Sequence, residues 1–191
     1  MGVYQRIAEL WKQPKESLGE LWKQRLIQWR REPVTLRIDK TTRTDRARSL
    51  GYTAKQGILV IRQRVSRGTH ERPDISGCRK SKNMRIRKDL RKNYQLIAEE
   101  RAGFAYPNCE VLNSYFVGKD GMHYWYEIIL VDRTHPAIAA DHRYAWSTKP
   151  GHRGRVHRGL TSAGKKMRGL MYKGRGVEKA RPSRRANDRR L

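Results

Sequence analysis

Two stretches of this chain, residues 41–92 and 151–191, each carry a net charge of +12, while the residues between them are close to neutral. Residues 41–92 hold sixteen basic and four acidic side chains, and residues 151–191 hold fourteen and two. Residues 1–40 add nine and five, residues 93–98 none, and residues 99–150 five and seven, which leaves +26 on 191 residues. Buried charges need partners, and acids are scarce among the dense cations of residues 79–92, so that run cannot pack into a core. Self-repulsion of this size calls for a polyanion. The pattern predicts a foldable centre with two appendages that face nucleic acid.

A membrane partner is not expected. A membrane span needs roughly 20 apolar residues, and the longest aliphatic runs here are Ile58–Ile61 and Ile128–Val131. Glu9 and Pro14 interrupt the N-terminus where a signal peptide is apolar. The expected location is therefore the cytosol. Cys78 and Cys109 are too few for a disulfide framework or a four-thiolate zinc site, so reduced thiols and no metal or cofactor are expected.

The near-neutral part reads as sheet. Val111–Val117 and Met122–Val131 are rich in β-branched and aromatic residues, with Asp120-Gly121 between them as a hairpin signal. A further strand is expected at Gly57–Val65. Its first half is apolar, and its second half alternates so that Arg62 and Arg64 share one face and Val65 takes the other. Helices flank the sheet. Val3, Ile7, Leu10 and Trp11 form one apolar stripe, and Leu18, Trp22, Leu26 and Trp29 form another on a helix from Glu16 to Glu32 that Pro33 ends. The spacing places the tryptophans in the core. A third helix is expected over Leu90–Arg101. The fold class is thus α/β: a small sheet core with strands near 57–65, 108–117 and 122–131, flanked by helices. Residues 1–150 are expected to form one domain with a basic loop inserted at about 67–92, and residues 151–191 an extended Gly/Arg-rich arm.

Three segments carry the candidate chemistry. Arg43, Arg46 and Arg48 lie within six positions among threonine hydroxyls, and the planar guanidinium fork matches phosphate oxygens. Gly51 and Gly57 are expected to allow tight turns near a ligand. In the inserted loop, eight cations from Arg79 to Lys92 fall in fourteen residues. The last 41 residues combine seven glycines with fourteen cations, and one short helix capped by Thr161 or Ser162 is expected at Thr161–Leu170. No catalytic constellation is legible. Asp132, His135, Asp141 and His142 are near in sequence, yet nothing in their spacing forces a pocket. Adjacent Glu99 and Glu100 point to different sides of a helix. No zinc-protease, phosphate-loop or nucleophile-elbow pattern occurs, and no small-molecule substrate is implied. Two classes of function stay open on the residues read so far: a nucleic-acid-compacting architectural factor, and an RNA-processing enzyme, which would need a convergent acid–base site.

The block Asp45–Gly68, with Ile58–Ile61 at its centre, closely resembles the signature of the archaeal and eukaryotic large-subunit ribosomal protein family number fifteen. Glu99–Gly103, Val111–Gly118 and Gly159–Gly164 resemble further blocks of that family in the same order, and Met1–Tyr4 and Glu9–Trp11 agree too. After Leu170 the chain is similar to the shorter archaeal form. The resemblance implies an α/β protein bound to large-subunit rRNA and to neighbouring ribosomal proteins. It marks Arg46, Arg48, Lys55, Arg62, Arg64 and Arg67 as rRNA contacts. To these the charge pattern adds Arg43, then Arg79, Lys80, Lys82, Arg85, Arg87 and Lys88 in the loop. In the arm it adds Arg153, Arg155, Arg158, Lys165, Lys166 and Arg168.

A binding mode set by phosphate neutralisation predicts a steep salt dependence. Each neutralised phosphate contributes about −0.7 to −0.9 to the slope of log affinity against log salt, so a slope steeper than about −3 is expected. Titrations of an rRNA fragment at several salt concentrations check this, and a shallower slope counts against it.

Overall fold

The computed structural model describes residues 2–68, 70–71, 77, 87–88 and 92–188. At its centre is a four-stranded antiparallel sheet in the order β1-β2-β6-β5, formed by Thr35–Ile38, Ile58–Ser66, His123–Asp132 and Cys109–Lys119 respectively. A separate two-stranded ladder pairs β3 (His70–Glu71) with β4 (Arg87–Lys88) at the base of the inserted loop. The three expected strands are found within two residues of their predicted ends. β1 was not expected. It is four residues long, contains Arg37, and forms only by pairing with Gln63–Val60 of β2.

Helices cover both faces of the sheet. Against one face lies α5 (Tyr94–Ala105), whose Leu96, Ala98 and Ala102 pack on Ile61, Val65, Ile128 and Leu130. The other face holds Trp125, Ile129 and Val131. On it pack Trp22 and Trp29 of α3 (Gly19–Arg31), Ala47 of α4 (Thr44–Ser49) and Ile138 of α6 (Pro136–Ala139). β6 is therefore apolar on both sides, because both of its faces are covered. β5 serves both layers by slipping register. Bulges between Val111 and Asn113 and between Phe116 and Gly118 shift its alternation, so Val111 joins the α5 layer while Tyr115 and Val117 join the tryptophan layer.

The long N-terminal helix expected from Glu16 is two pieces. They are α2 (Pro14–Ser17) and α3, which meet at Gly19 with φ +48°, and α1 (Val3–Leu10) is the separate helix expected ahead of Pro14. The tryptophans are core, as their spacing predicts. Trp11, Trp22 and Trp29 stand edge to face at centroid separations of 5.9 Å, and Trp29 continues to Trp125 at the same distance. Gly118 is the floor of this stack. A Cβ there would lie 2.8 Å from the Trp22 ring and 3.0 Å from Trp29. α5 begins at Tyr94 with Asn93 as its cap, and Leu90, where the sequence reading began it, lies outside the described residues.

Residues 151–168 do not form an extended arm. Val156 and Ala163 are buried in the α5 layer, and α7 (Ser162–Met167) is capped by the Thr161 hydroxyl, which accepts from Gly164 N. Acids on the body draw this stretch inward. The buried Glu110 carboxylate accepts from Gly154 N at 2.6 Å, and the fully buried Glu99 accepts from the Thr161 hydroxyl at 2.6 Å and from the Ser114 hydroxyl. Counting charge could not find this, because two hydrogen-bonded carboxylates outweigh the local excess of arginine.

Burial raises the Glu99 pKa above its ordinary 4.5, against the hydrogen bonds from Ser114 and Thr161. The folded state thus holds this proton more tightly than the unfolded chain does, so the contribution of Glu99 to stability falls as pH rises from 4.5 through the raised value. Glu99→Gln keeps an acceptor without titrating. Urea melts across this pH range should show the wild type losing stability relative to the variant with rising pH; parallel pH profiles would show that Glu99 titrates normally.

Candidate nucleic-acid interface

The loop before β2 is anchored from below by Glu127, a fully buried residue of β6. Its carboxylate accepts from Thr42 N at 3.1 Å, from the Thr42 hydroxyl, and from the Tyr115 hydroxyl at 2.6 Å. Burial, reinforced by the adjacent Glu127 charge, drives the Tyr115 pKa far up and keeps its proton in place. Arg62 completes the network. It pairs with Glu32 at 2.7 Å and Glu127 at 3.7 Å, and its guanidinium stacks 4.9 Å from the centre of the Trp29 ring.

Arg62 and Arg64 do share a strand face, as the alternation predicts, but that face is the covered tryptophan layer. The Arg62 side chain is only 11% exposed, so its role is to hold the loop on the sheet rather than to reach outward. Arg64 donates to Arg30 O at 2.6 Å. The glycines at the loop's end face the body as well. Gly57, at φ +85°, packs so close to Ile138 and His135 that a Cβ would meet Ile138 at 2.7 Å, and Gly51 lies against Leu112. They fit the loop to the body, not to a ligand.

Past Thr42 the chain turns outward. Arg43 pairs with Asp45 at 3.2 Å and lies 5.1 Å from the Trp11 ring. Ala47 buries the inner face of α4, and on that short helix Arg46 and Arg48 remain exposed, with Arg48 over the Tyr4 ring. Lys55 pairs with Asp141, which Arg143 and Lys55 hold well below the usual carboxylate range. Arg67 is exposed, donates to Asp120 O and covers Tyr124 at 5.1 Å. Arg46, Arg48 and Arg67 thus stand on fixed backbone with their charge toward solvent.

In the C-terminal part, Arg153, Arg158, Lys165 and Lys166 are exposed, while Arg155 is half-buried against Trp146 at 4.5 Å. Arg158 donates to Gly151 O and Arg153 O, and Arg168 reaches Gly159 O. Arg79, Lys80, Lys82 and Arg85 lie outside the described residues, and Arg87 and Lys88 are described only as the backbone of β4. The acidic and histidine residues weighed for catalysis serve as caps and ion pairs. Asp132 accepts from Thr134, His135 caps α6 through Ala137 N, and His142 is 92% exposed. Sequence reasoning missed Glu99, Glu110 and Glu127 as anchors of the basic segments; the signal available was an acid inside a strand or helix that otherwise reads as core.

A body that pairs its buried charges internally, and turns arginine and lysine outward from rigid loops, is a docking module for a polyanion. The chain belongs to the Ribosomal L15 family, whose model matches residues 2–187. It is 54% identical over 190 residues to the large ribosomal subunit protein eL15 of Methanocella arvoryzae, covering 98% of this chain and 97% of that one. It is 52% identical over 188 residues to the eL15 protein of Nanoarchaeum equitans, covering 98% of both.

Arg62 should matter to the fold and Arg46 and Arg48 should not. Arg62→Ala leaves Glu127 and Glu32 without their cation and is expected to cost about 3 kcal/mol, as broken buried pairs do. Arg46→Ala with Arg48→Ala should stay within about 0.5 kcal/mol of wild type, as exposed sites do. Chemical denaturation of the three proteins measures both, and equal losses would show that Arg62 is not an anchor.

Proposed function

We infer that this protein is a structural constituent of the large ribosomal subunit, located in cytoplasmic ribosomes, that binds and organises large-subunit rRNA and is not an enzyme. The observation that carries this is the family match over residues 2–187, supported by relatives more than 50% identical over nearly their whole length. The charge distribution agrees, with two +12 segments attached to a folded body.

The proposed contacts are phosphates. Arg46, Arg48 and Arg67 meet rRNA from the signature, with Arg43, Lys55 and Arg64 supporting them at its edge. From the C-terminal part, Arg153, Arg158, Lys165, Lys166 and Arg168 meet a second RNA segment. Arg155 and Arg62 hold these surfaces in shape. The inserted loop, with Arg79, Lys80, Lys82, Arg85, Arg87 and Lys88, adds a third. Each contact exchanges condensed counterions for a protein cation and fixes the relative position of the RNA segments. Recognition by shape and backbone suits this chemistry, because the deep, narrow major groove of A-form RNA excludes side chains. Neighbouring ribosomal proteins complete the surroundings.

Two measurements test the reading. The tagged full-length chain should co-sediment with large subunits in high salt; release at moderate salt, or sedimentation with bulk nucleic acid instead, would overturn it. For the contacts, Arg46→Ala plus Arg48→Ala should weaken rRNA binding roughly tenfold more than Lys12→Ala plus Lys15→Ala, since preorganised guanidiniums bind phosphate better than scattered charges. Equal losses from the two pairs would mean that charge alone, not the signature, sets affinity.

A further inference from the structure

A groove of about 1050 Å³ runs between the body and the C-terminal segment, and of the contacts proposed above only Arg158 and Arg168 border it. Its floor is Leu96 of α5 and Met167 of α7, and its far wall is the segment from Ala180 to Asp188. That wall has its own internal framework. Arg181 donates to Leu170 O and Tyr172 O, and the Asn187 amide donates to Arg181 O and Ser183 O. The segment therefore folds back on itself beside the body rather than trailing away.

The lining combines two chemistries. Leu96, Met167 and Ala180 are apolar, while Lys92, Arg158, Arg168, Arg184 and Arg185 outnumber the acids Glu100 and Asp188 by five to two. Lys92 neutralises Glu100 at 2.7 Å. Among the described residues no carboxylate lies within ion-pairing distance of Arg184 or Arg185, and both are exposed. Also in the lining, His157 packs on Phe104 with ring centroids 4.5 Å apart, and Phe104 is 74% exposed. An apolar slot, free guanidiniums along one wall and a lining histidine packed on an exposed phenylalanine match a nucleotide, whose base stacks and whose phosphate is charged. The volume lies just above the about 300–1,000 Å³ typical of small-ligand pockets, room for a short unpaired run and not for a duplex.

We propose that this groove clasps a short single-stranded stretch of rRNA, with a base against Met167 and Ala180 and phosphates on Arg184 and Arg185. The proposal rests on the rRNA-binding reading and adds where the chain closes around the RNA. It also gives the C-terminal segment a function distinct from diffuse charge. An acidic peptide from a neighbouring protein is the competing occupant, but His157, packed on the exposed Phe104, favours a base.

The test uses the full-length chain assembled into large subunits. A photoreactive benzophenone side chain replaces Met167, inside the groove, or Tyr172, which is 80% exposed outside it. After irradiation, the Met167 position should crosslink to unpaired rRNA nucleotides within a run of a few residues. Adding Ala180→Trp, which fills the slot without changing charge, should lower that crosslink roughly tenfold, the scale of one lost stacked base. Arg184→Ala plus Arg185→Ala should also lower it severalfold, and keeps the question answerable if the tryptophan disturbs folding. A Met167 crosslink to protein or to duplex RNA, no Met167 crosslink, or a yield unchanged by both sets of substitutions overturns the clasp while the ribosomal role stands. Failure of the chain to co-sediment with the subunit brings down both.

Discussion

Three buried carboxylates decide where the basic segments of this protein go. Glu127 pins the loop ahead of β2 through Thr42 and Arg62, Glu110 receives the backbone at Gly154 and Arg155, and Glu99 receives Thr161 at the start of α7. Each sits on or against the sheet, where an unpaired charge is costly and charge-assisted hydrogen bonds are strong. The donors come from the stretches that carry the excess of arginine and lysine. The same acids that make the centre near neutral therefore moor the segments that are not.

Mooring changes what the cations do. An arginine on a loose chain loses side-chain and backbone freedom when it meets a phosphate, whereas one on a fixed loop has given up much of that freedom on folding. Arg46 and Arg48 stand on α4, whose Ala47 is locked beneath them. Below that helix, the stacked rings from Trp11 to Trp125 form a stiff support, and Arg43 and Arg62 lie against its outer and inner members. Gly118 keeps that support close to the sheet because no side chain fits under the Trp22 and Trp29 rings. Core packing and RNA docking are thus consecutive layers of one construction.

Much of this was legible in the residues. β-branched and aromatic runs marked three of the four strands of the central sheet, helical spacing put the tryptophans in the core, and the cap of α7 was narrowed to Thr161 or Ser162, of which Thr161 serves. β1 was not legible, because four residues with an arginine among them have no strand signal until β2 supplies hydrogen-bond partners. The phase of β5 was not legible either, since bulges move Tyr115 to the face opposite Val111 without any mark in the local pattern. The groove wall around Arg184 and Arg185 escaped notice because its sequence looks like solvated tail.

By itself the sequence determined that the chain has an α/β centre, that its partner is a polyanion, and which family block surrounds β2, because composition, periodicity and motif order are local and additive. Only the tertiary structure decided which arginines are free to act. Arg62 and Arg64 alternate with apolar residues as a surface pair would, yet the helix α3 covers their face and Glu32 and Glu127 take up Arg62. Residues 151–168 read as an arm, yet Glu99 and Glu110, more than forty positions away from most of them, fold them onto the body. Whether a charge faces solvent or a partner depends on contacts between segments distant in the chain, and no local count of charges contains that information.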